Sequence, residues 1–474
     1  MKSKVVLVTG IFDILHPGHI RLLRFAKNCG DKLIVGIYGD NISNDIINSQ
    51  ELRKESVEAL EFVSESIIFK SNLKSEILSL RPDVVVKGKE HQGKFNEEEE
   101  ILNEIGGELI FSSGDVGSTH SLVKTQKQVV PYNYLSHCSS IIKRHNISKE
   151  KLISIINKFC EKKVCVLGDL IIDEYIECFP MGMSQEEPII ALKPLRSKKF
   201  IGGASIVAGH ASALGSQAML YTVTGEDENK DFSANKLAES KVDFNFIVDK
   251  NRPTSLKKRY RCDERTFFKV SELSQQSISE QSQKALLEKL KTIIPKVDIL
   301  IFSDFSYGFL PEVFVDEIIK IGRQNNVFMA ADSQSSSQTG DLSKFNYMDL
   351  ITPTEREARI TLRNSEDGLV VIANKLLEAT NSQNILLKLG ADGFLAHNPN
   401  LRGTITEQIV ALNKNPIDAS GAGDSLLTAA SLAINSGATL WEAAIIGAVA
   451  ASIQTDRVGN IPISSEELIG RIDR

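Results

Sequence analysis

The chain has little of what marks several protein classes. Its six cysteines (Cys29, Cys138, Cys160, Cys165, Cys178 and Cys262) form no CxxC pair. That argues against a disulfide framework or a zinc site and for reduced thiols in a cytoplasmic protein. No apolar run approaches the roughly 18 residues of a membrane span, so no membrane partner is expected. The run after Met1 is also too short for the apolar region of a signal peptide. A long basic block is missing and the formal net charge is −6, which argues against nucleic acid as a partner. Any phosphate site must then be local: a loop, a helix end, a few Lys or Arg.

What is present is an ordinary globular balance, 42% hydrophobic and 24% charged, over 474 residues. That is too long for one core and predicts two or three domains. The first 130 residues or so alternate β-branched runs ("KVVLVTG", "DKLIVGIYGD", "ESIIFK", "PDVVVKG", "ELIFSS") with helix-spaced segments. Repeated βα alternation means an α/β fold with a parallel sheet, and ligands belong at the carboxyl ends of its strands. Residues 133–160 are polar and weakly periodic and read as a linker. A second alternation fills 161–474, broken by two stretches, about 174–201 and 254–273, that alternate apolar with polar residues. These predict antiparallel hairpins forming a small β lid. An exposed lid edge strand predicts a homodimer.

Two stretches carry chemistry. "GIFDILHPGH" (10–19) follows the first strand run and puts His16 and His19 on one side of a helix's first turn. Pro17 suits the first helical position, and Gly18 lets a ligand approach the backbone. Free N–H groups, the helix dipole and two imidazoles make an anion site for a nucleoside triphosphate. Read alone, the pair is also open to incidental histidines or half a metal site, although no third ligand is evident nearby. "DASGAGDSLL" (418–427) places Gly421, Ala422 and Gly423 before a long helix, a nest of N–H groups for a transferring phosphoryl group. Asp424 then stands where a base would take a proton from an attacking sugar hydroxyl.

The first stretch resembles the GxFDxxHxGH signature of HxGH nucleotidyltransferases, a likeness covering roughly 4–130 and extending over residues 1–132 as a domain. The resemblance implies a Rossmann-like fold with His16 and His19 catalytic and Gly10, Phe12 and Gly18 at the nucleotide. "ELRKESVEAL" resembles the family's Arg-bearing helix, which implies Arg53 near substrate or triphosphate. "PDVVVKGKEH" resembles its VKG strand end, implicating Lys87, and "GSTHSLVK" its late phosphate-binding motif, implicating Ser118 and Thr119. His120 stands where a second Thr or Ser is usual. The base is open between ATP and CTP.

The second stretch resembles ribokinase-type sugar kinases over most of 161–474. "VLGDLIIDEY" is similar to the family's opening strand and implies Asp169 and Asp173 at the acceptor, and "KFIGGASIVAGHASALG" implies Gly202 and Gly203 there. "TPTEREA" resembles a PNxxE motif, giving Glu357 a role toward Mg2+. "LKLGADG" resembles the nucleotide-side turn, giving Gly390 and Gly393. "MSQEEPII" is similar to the lid of heptose-7-phosphate kinases. The chain departs from the pattern at Ile206, Thr354, Ser333 and Gln334; the last two stand where the family's DPK turn has Pro and Lys. Together the resemblances imply a bifunctional enzyme of nucleotide-sugar formation. It would use ATP to phosphorylate O1 of a heptose 7-phosphate-like sugar, and would transfer a nucleotidyl group from ATP or CTP to a sugar 1-phosphate. The alternative is an active nucleotidyltransferase fused to a non-catalytic binding or dimerisation module.

Overall fold

The computed structural model describes residues 4–15, 17–40, 46, 48–69, 72–88, 96–111, 135, 138–183, 189–262, 265–334, 341–413 and 415–473. The chain divides into two compact units, Met1–Pro131 and Tyr132–Arg474.

The first unit runs β1 (Val5–Gly10), α1 (Pro17–Lys27), β2 (Lys32–Tyr38), α2 (Gln50–Glu58), β3 (Glu65–Phe69), α3 (Leu73–Leu80), β4 (Val84–Lys87), α4 (Glu97–Ile105) and β5 (Glu108–Phe111). The strands form one parallel sheet in the order β3-β2-β1-β4-β5. Val6, Leu7, Val8, Leu33, Val35, Val84, Val85 and Val86 are wholly buried, because helices cover both faces of such a sheet. The chain winds outward from β1 to β3 and then returns to β4 on the other side of β1. That reversal is the switch point at which α/β sheets open a crevice. The loop after β1 and the end of β4 meet there.

The second unit begins with α5 (Ser139–Arg144) and α6 (Lys149–Asn157). Residues 133–160 are the expected linker, yet the described part of this stretch packs into the second unit. Ile141, Leu152, Ile155, Ile156 and Phe159 are buried in its main hydrophobic cluster. His145 stacks on Trp441 with ring centroids 4.7 Å apart, and it and the half-exposed Arg144 both bond the buried Glu407. Only the inner face of each short helix is apolar, which is why the stretch reads as polar.

There follow β6 (Lys163–Gly168), β7 (Leu170–Met183), β8 (Ile190–Gly203), α7 (Ala204–Ala213), β9 (Gln217–Thr224), α8 (Glu228–Glu239), β10 (Asp243–Val248), β11 (Leu256–Cys262) and β12 (Arg265–Glu272). Next come α9 (Glu280–Ile293), β13 (Ile299–Asp304), α10 (Glu312–Gln324), β14 (Phe328–Ser333), β15 (Leu350–Ile351), α11 (Glu355–Leu362) and α12 (Leu369–Thr380). The unit ends with β16 (Asn384–Lys388), β17 (Phe394–His397), β18 (Thr406–Ile409), α13 (Ala422–Asn435), α14 (Leu440–Thr455) and α15 (Ser465–Asp473).

The main sheet has nine strands in the order β10-β9-β6-β13-β14-β15-β16-β17-β18, parallel from β10 to β16 and antiparallel beyond. A separate four-stranded sheet, β12-β11-β7-β8, pairs β7 with β8 and β11 with β12 antiparallel and joins them through parallel β7 and β11. Asp304, Asp332 and Lys388 all lie at or near the carboxyl ends of main-sheet strands, on the side where ligands bind.

Candidate active sites in the two units

In the first unit the loop after β1 is fixed by α2. Arg53 donates to Ile11 O at 2.6 Å, Asn48 O at 3.1 Å and Asp40 Oδ1 at 2.6 Å. Asn48 adds two bonds to Asp13, one to its carboxylate and one to its carbonyl. The resemblance puts Arg53 toward substrate, whereas here its side chain is fully enclosed and its fork ties the loops after β1 and β2 together. Phe12 likewise turns inward. It is buried in the core with φ +51°, and its ring meets His19 edge-on at 5.1 Å between centroids, so it fixes the His19 ring from behind. A Cβ on Gly10 would sit 2.9 Å from the same phenyl ring. Gly18 and His19 lie in the first turn of α1, at the switch point. Lys87 ends the adjacent β4 and holds both oxygens of buried Glu98 at 2.9 Å. His16, Ser118 and Thr119 lie outside the described residues.

The second unit holds a cavity of about 540 Å³ lined by both expected halves of a site. Asp173, Gly203, Lys257, Arg259 and Asn460 line one part, and Gly390, Gly393, Phe394, Val410 and Ala451 another. Gly421, Ala422, Gly423 and Asp424 also line it, with Glu357 and Lys388. The first of these parts is polar, and the second is mixed with apolar side chains of the kind that hold a nucleobase.

The GAGD loop is built by backbone freedom. Gly421 caps α13 with φ +78°, and a Cβ there would lie 2.4 Å from Asn460 Oδ1, so only glycine fits. Asp424, in the first turn of α13, is 5% exposed. Burial first, and then the charge of Asp332, push its carboxyl up to about 7, with Lys388 pulling the other way. A carboxylate poised near neutrality suits a general base. Gln334 Nε2 bridges Asp332 Oδ2 at 3.4 Å and Asp424 Oδ1 at 3.5 Å.

In the polar part of the cavity Asp173 is held by Arg259 (2.9 and 3.2 Å) and by Asn460 Nδ2 (3.2 Å). Gly202 makes room for it: a Cβ there would be 2.5 Å from Asp173 Oδ2. Gly203 has φ +59°, and a Cβ would strike the Asp169 carbonyl at 2.3 Å. The Asp169 side chain, placed at the acceptor by the resemblance, turns inward here. It is 2% exposed, and its carboxylate accepts the backbone N–H groups of Phe305, Tyr307 and Phe309. Burial and the neighbouring Asp304 charge push it up to about 6. The carboxylate so held clamps the loop after β13.

Glu357 makes a capping box with Thr354: Thr354 N donates to Glu357 Oε2 at 2.7 Å, and Glu357 N donates to Thr354 Oγ1 at 3.3 Å. Thr354, which departs from the family's Asn, is thus a helix cap of a kind worth about 1 kcal/mol. Ser333 donates to Asp304 Oδ2 at 3.0 Å. Ile206 is wholly buried; a side-chain amide beside Asp173 in the cavity comes from Asn460. The sequence reading missed Arg259, Asn460 and Lys388. Arg259 and Lys257 alternate along β11, a signal of a shared face, whereas Asn460 carries none, being far from its partners along the chain.

A parallel sheet with a lid, a glycine-rich helix start and a buried carboxylate over one cavity define an α/β phosphoryl-transfer fold of the sugar-kinase type. Residues 161–467 match the family model described as pfkB family carbohydrate kinase, and the chain belongs to that family. Residues 7–144 match a model described as cytidylyltransferase-like. Among curated relatives, a "Bifunctional protein HldE" of Desulfatibacillum aliphaticivorans is 28% identical over 318 residues, 66% of this chain and 63% of that protein. Another of that name, from Geobacter sulfurreducens, is 26% identical over 312 residues, 65% and 62% respectively. The chain thus spans just under two thirds of the length of these relatives. Among solved structures, Escherichia coli phosphofructokinase-2 with fructose-6-phosphate aligns with a TM-score of 0.53 at 17% identity, over 66% of this chain and 100% of that one. Arabidopsis thaliana ribokinase with ribose and ATP gives 0.53 at 17%, over 66% and 99%. Both show the shared fold.

Proposed function

We propose that the chain is a bifunctional transferase of nucleotide-sugar formation. The second unit phosphorylates O1 of a heptose 7-phosphate-like sugar with ATP. The first transfers a nucleotidyl group from ATP or CTP to a sugar 1-phosphate and releases pyrophosphate. One observation carries the kinase reading: Asp424, buried and held near neutrality, lines the same cavity as Asp173 and the GAGD amides. The HldE relatives, both called bifunctional, support pairing the two activities.

In the kinase unit Asp173, oriented by Arg259 and Asn460, accepts a sugar hydroxyl and fixes the acceptor. Asp424 takes the proton of the attacking O1, and the N–H groups at the start of α13 receive charge developing on the phosphoryl oxygens. Glu357 fits a role toward Mg2+, since magnesium arrives with phosphates and waters and needs only one or two carboxylates. When bound, the ion neutralises polyphosphate charge. In the transferase unit, His19, braced by Phe12, and His16 neutralise the triphosphate, with Lys87, Ser118 and Thr119 as further phosphate ligands. An ionised phosphate nucleophile needs positioning more than a base.

The lid sheet exposes Phe179, Met181, Met183, Leu195, Phe267 and Phe268, which supports a homodimer formed through it. No helix among the described residues is long and apolar enough to cross a membrane, and the free cysteines fit the cytoplasm. Incubating the full chain with ATP and heptose 7-phosphate, and separately with heptose 1-phosphate and each of the four common NTPs, tests the reading. ADP and a 1-phosphorylated sugar are expected from the first, and pyrophosphate from the second with ATP or CTP. Nucleotidyl transfer without phosphorylation, with sugar binding retained, would reduce the second unit to a binding module.

A further inference from the structure

Lys388 ends β16 two residues before Gly390, inside the "LKLGADG" stretch. Its ammonium donates to both oxygens of Asp332 at 2.9 and 2.8 Å. It also reaches the start of α13: a Cβ built on Gly423 would lie 3.1 Å from Lys388 Nζ. The bare α-carbon of Gly423 thus leaves the space into which this ammonium projects, directly beside the N–H nest and Asp424. Lys388 lines the cavity and is 13% exposed in its side chain, so the charge is shielded from water but faces the ligand space. Burial acts against that charge, and the carboxylates of Asp332 and Glu357 more than offset it, holding the ammonium above its ordinary value.

Position 334, where the DPK turn of similar kinases carries Lys, is Gln in this chain. Gln334 and Lys388 converge on the same carboxylate: Gln334 Nε2 is 3.4 Å from Asp332 Oδ2, which Lys388 holds at 2.8 Å. β14 and β16 are separated in the sheet only by the short β15. A long side chain from the end of β16 therefore reaches the same carboxylate as the side chain at the end of β14.

We propose that Lys388 is a catalytic residue of the kinase unit, its ammonium contacting the transferring γ-phosphoryl group at the GAGD nest in place of a lysine at 334. The inference rests on the kinase reading above. In the step, the O1 oxygen forms a bond to the γ-phosphorus while the bond from that phosphorus to the β-γ bridging oxygen breaks. ADP leaves with the electron pair, and the hydroxyl proton passes to Asp424. Negative charge gathers on the γ-phosphoryl and bridging oxygens, and a fixed cation in a shielded site stabilises it there. Asp332 acts as the positioning partner that aims Lys388.

The test compares wild type with Lys388→Met, with Gln334→Lys, and with the charge-transposed double variant Gln334→Lys/Lys388→Thr, all in the full chain. With ATP and heptose 7-phosphate, Lys388→Met is expected to lower kcat about 10²–10³-fold, as for loss of one donor to developing charge. The double variant is expected to recover at least about a tenfold part of that loss, because the two positions share one carboxylate. Calorimetric binding of ADP and of a non-hydrolysable ATP analogue supplies a readout that needs no acceptor. Lys388→Met is expected to weaken the analogue about tenfold, about 1.4 kcal/mol, while leaving ADP nearly unchanged. Should Lys388→Met leave Asp332 uncompensated and fail to fold, the double variant alone decides through the same two readouts. Equal losses for ADP and the analogue, or a double variant no better than Lys388→Met, would overturn the proposal. If Lys388→Met weakens the analogue selectively but wild type phosphorylates no sugar, the acceptor assignment of the kinase reading fails, while the contact of Lys388 with the γ-phosphoryl group stands.

Discussion

The Tyr175 hydroxyl, carried by lid strand β7, donates to Asp418 Oδ2 at 2.6 Å, and the same oxygen accepts from Gly459 N at 3.0 Å. Asp418 opens the segment that turns into the GAGD loop, so one carboxylate ties the lid strand to that loop. The pair explains how a glycine-rich loop, intrinsically loose, is held ready for a ligand.

Tyr175→Phe removes the donor and keeps the ring, which also packs against Phe200. A hydrogen bond to a charged group is worth about 1.5–3 kcal/mol, so KM for the acceptor is expected to rise roughly tenfold or more with a smaller change in kcat. Steady-state kinetics on both parameters checks this; an unchanged KM would mean the latch does not order the site.

The buried Asp424 sets two pH dependences. Its carboxyl is raised to about 7, and the base must be ionised to work, so kcat/KM is expected to fall about tenfold per unit as pH drops below that value. For stability the sign runs the other way. Between the ordinary value of 3.8 and about 7 the folded chain holds a proton that the unfolded chain has lost, so stability falls as pH rises through that window. Asp424→Asn removes that slope. It is expected to lose about 10²–10⁴ in turnover and to gain about 1–2 kcal/mol at pH 8, little of which remains near pH 4. Thermal unfolding across pH measures it.

Arg53→Met leaves the carbonyls of Ile11 and Asn48 without their guanidinium donor. Breaking such a buried network typically costs about 2–4 kcal/mol. The transferase unit is expected to melt earlier and to lose nucleotidyl transfer, while the rate of sugar phosphorylation is unchanged. Differential scanning calorimetry with both activity assays separates the outcomes.

The parts most legible in the sequence are those whose cause is local. β-branched runs at the spacing of a βα repeat read as the parallel sheet, and glycines beside an acid at a helix start read as the GAGD loop. What escaped depends on partners distant along the chain. Asp169 reads as a substrate ligand because its partners, the amides of Phe305, Tyr307 and Phe309, lie 136 to 140 residues away. Arg53 reads as a contact to substrate or triphosphate because nothing in its helix reveals that it turns back beneath two loops. Lys388 reads as a strand end until β14 brings Asp332 beside it. The stretch 133–160 reads as a linker because a few inward apolar positions in short helices make no clear period.

The most direct test of the account is phosphorus NMR of the full chain with ATP and heptose 7-phosphate, run in parallel on wild type and Asp424→Asn. The account predicts an anomeric phosphate resonance growing one-for-one with ADP in wild type, absent on the same timescale in Asp424→Asn, whose nucleotidyl transfer persists. An anomeric phosphate formed at the wild-type rate by Asp424→Asn, or a phosphate delivered to another sugar oxygen, would contradict it.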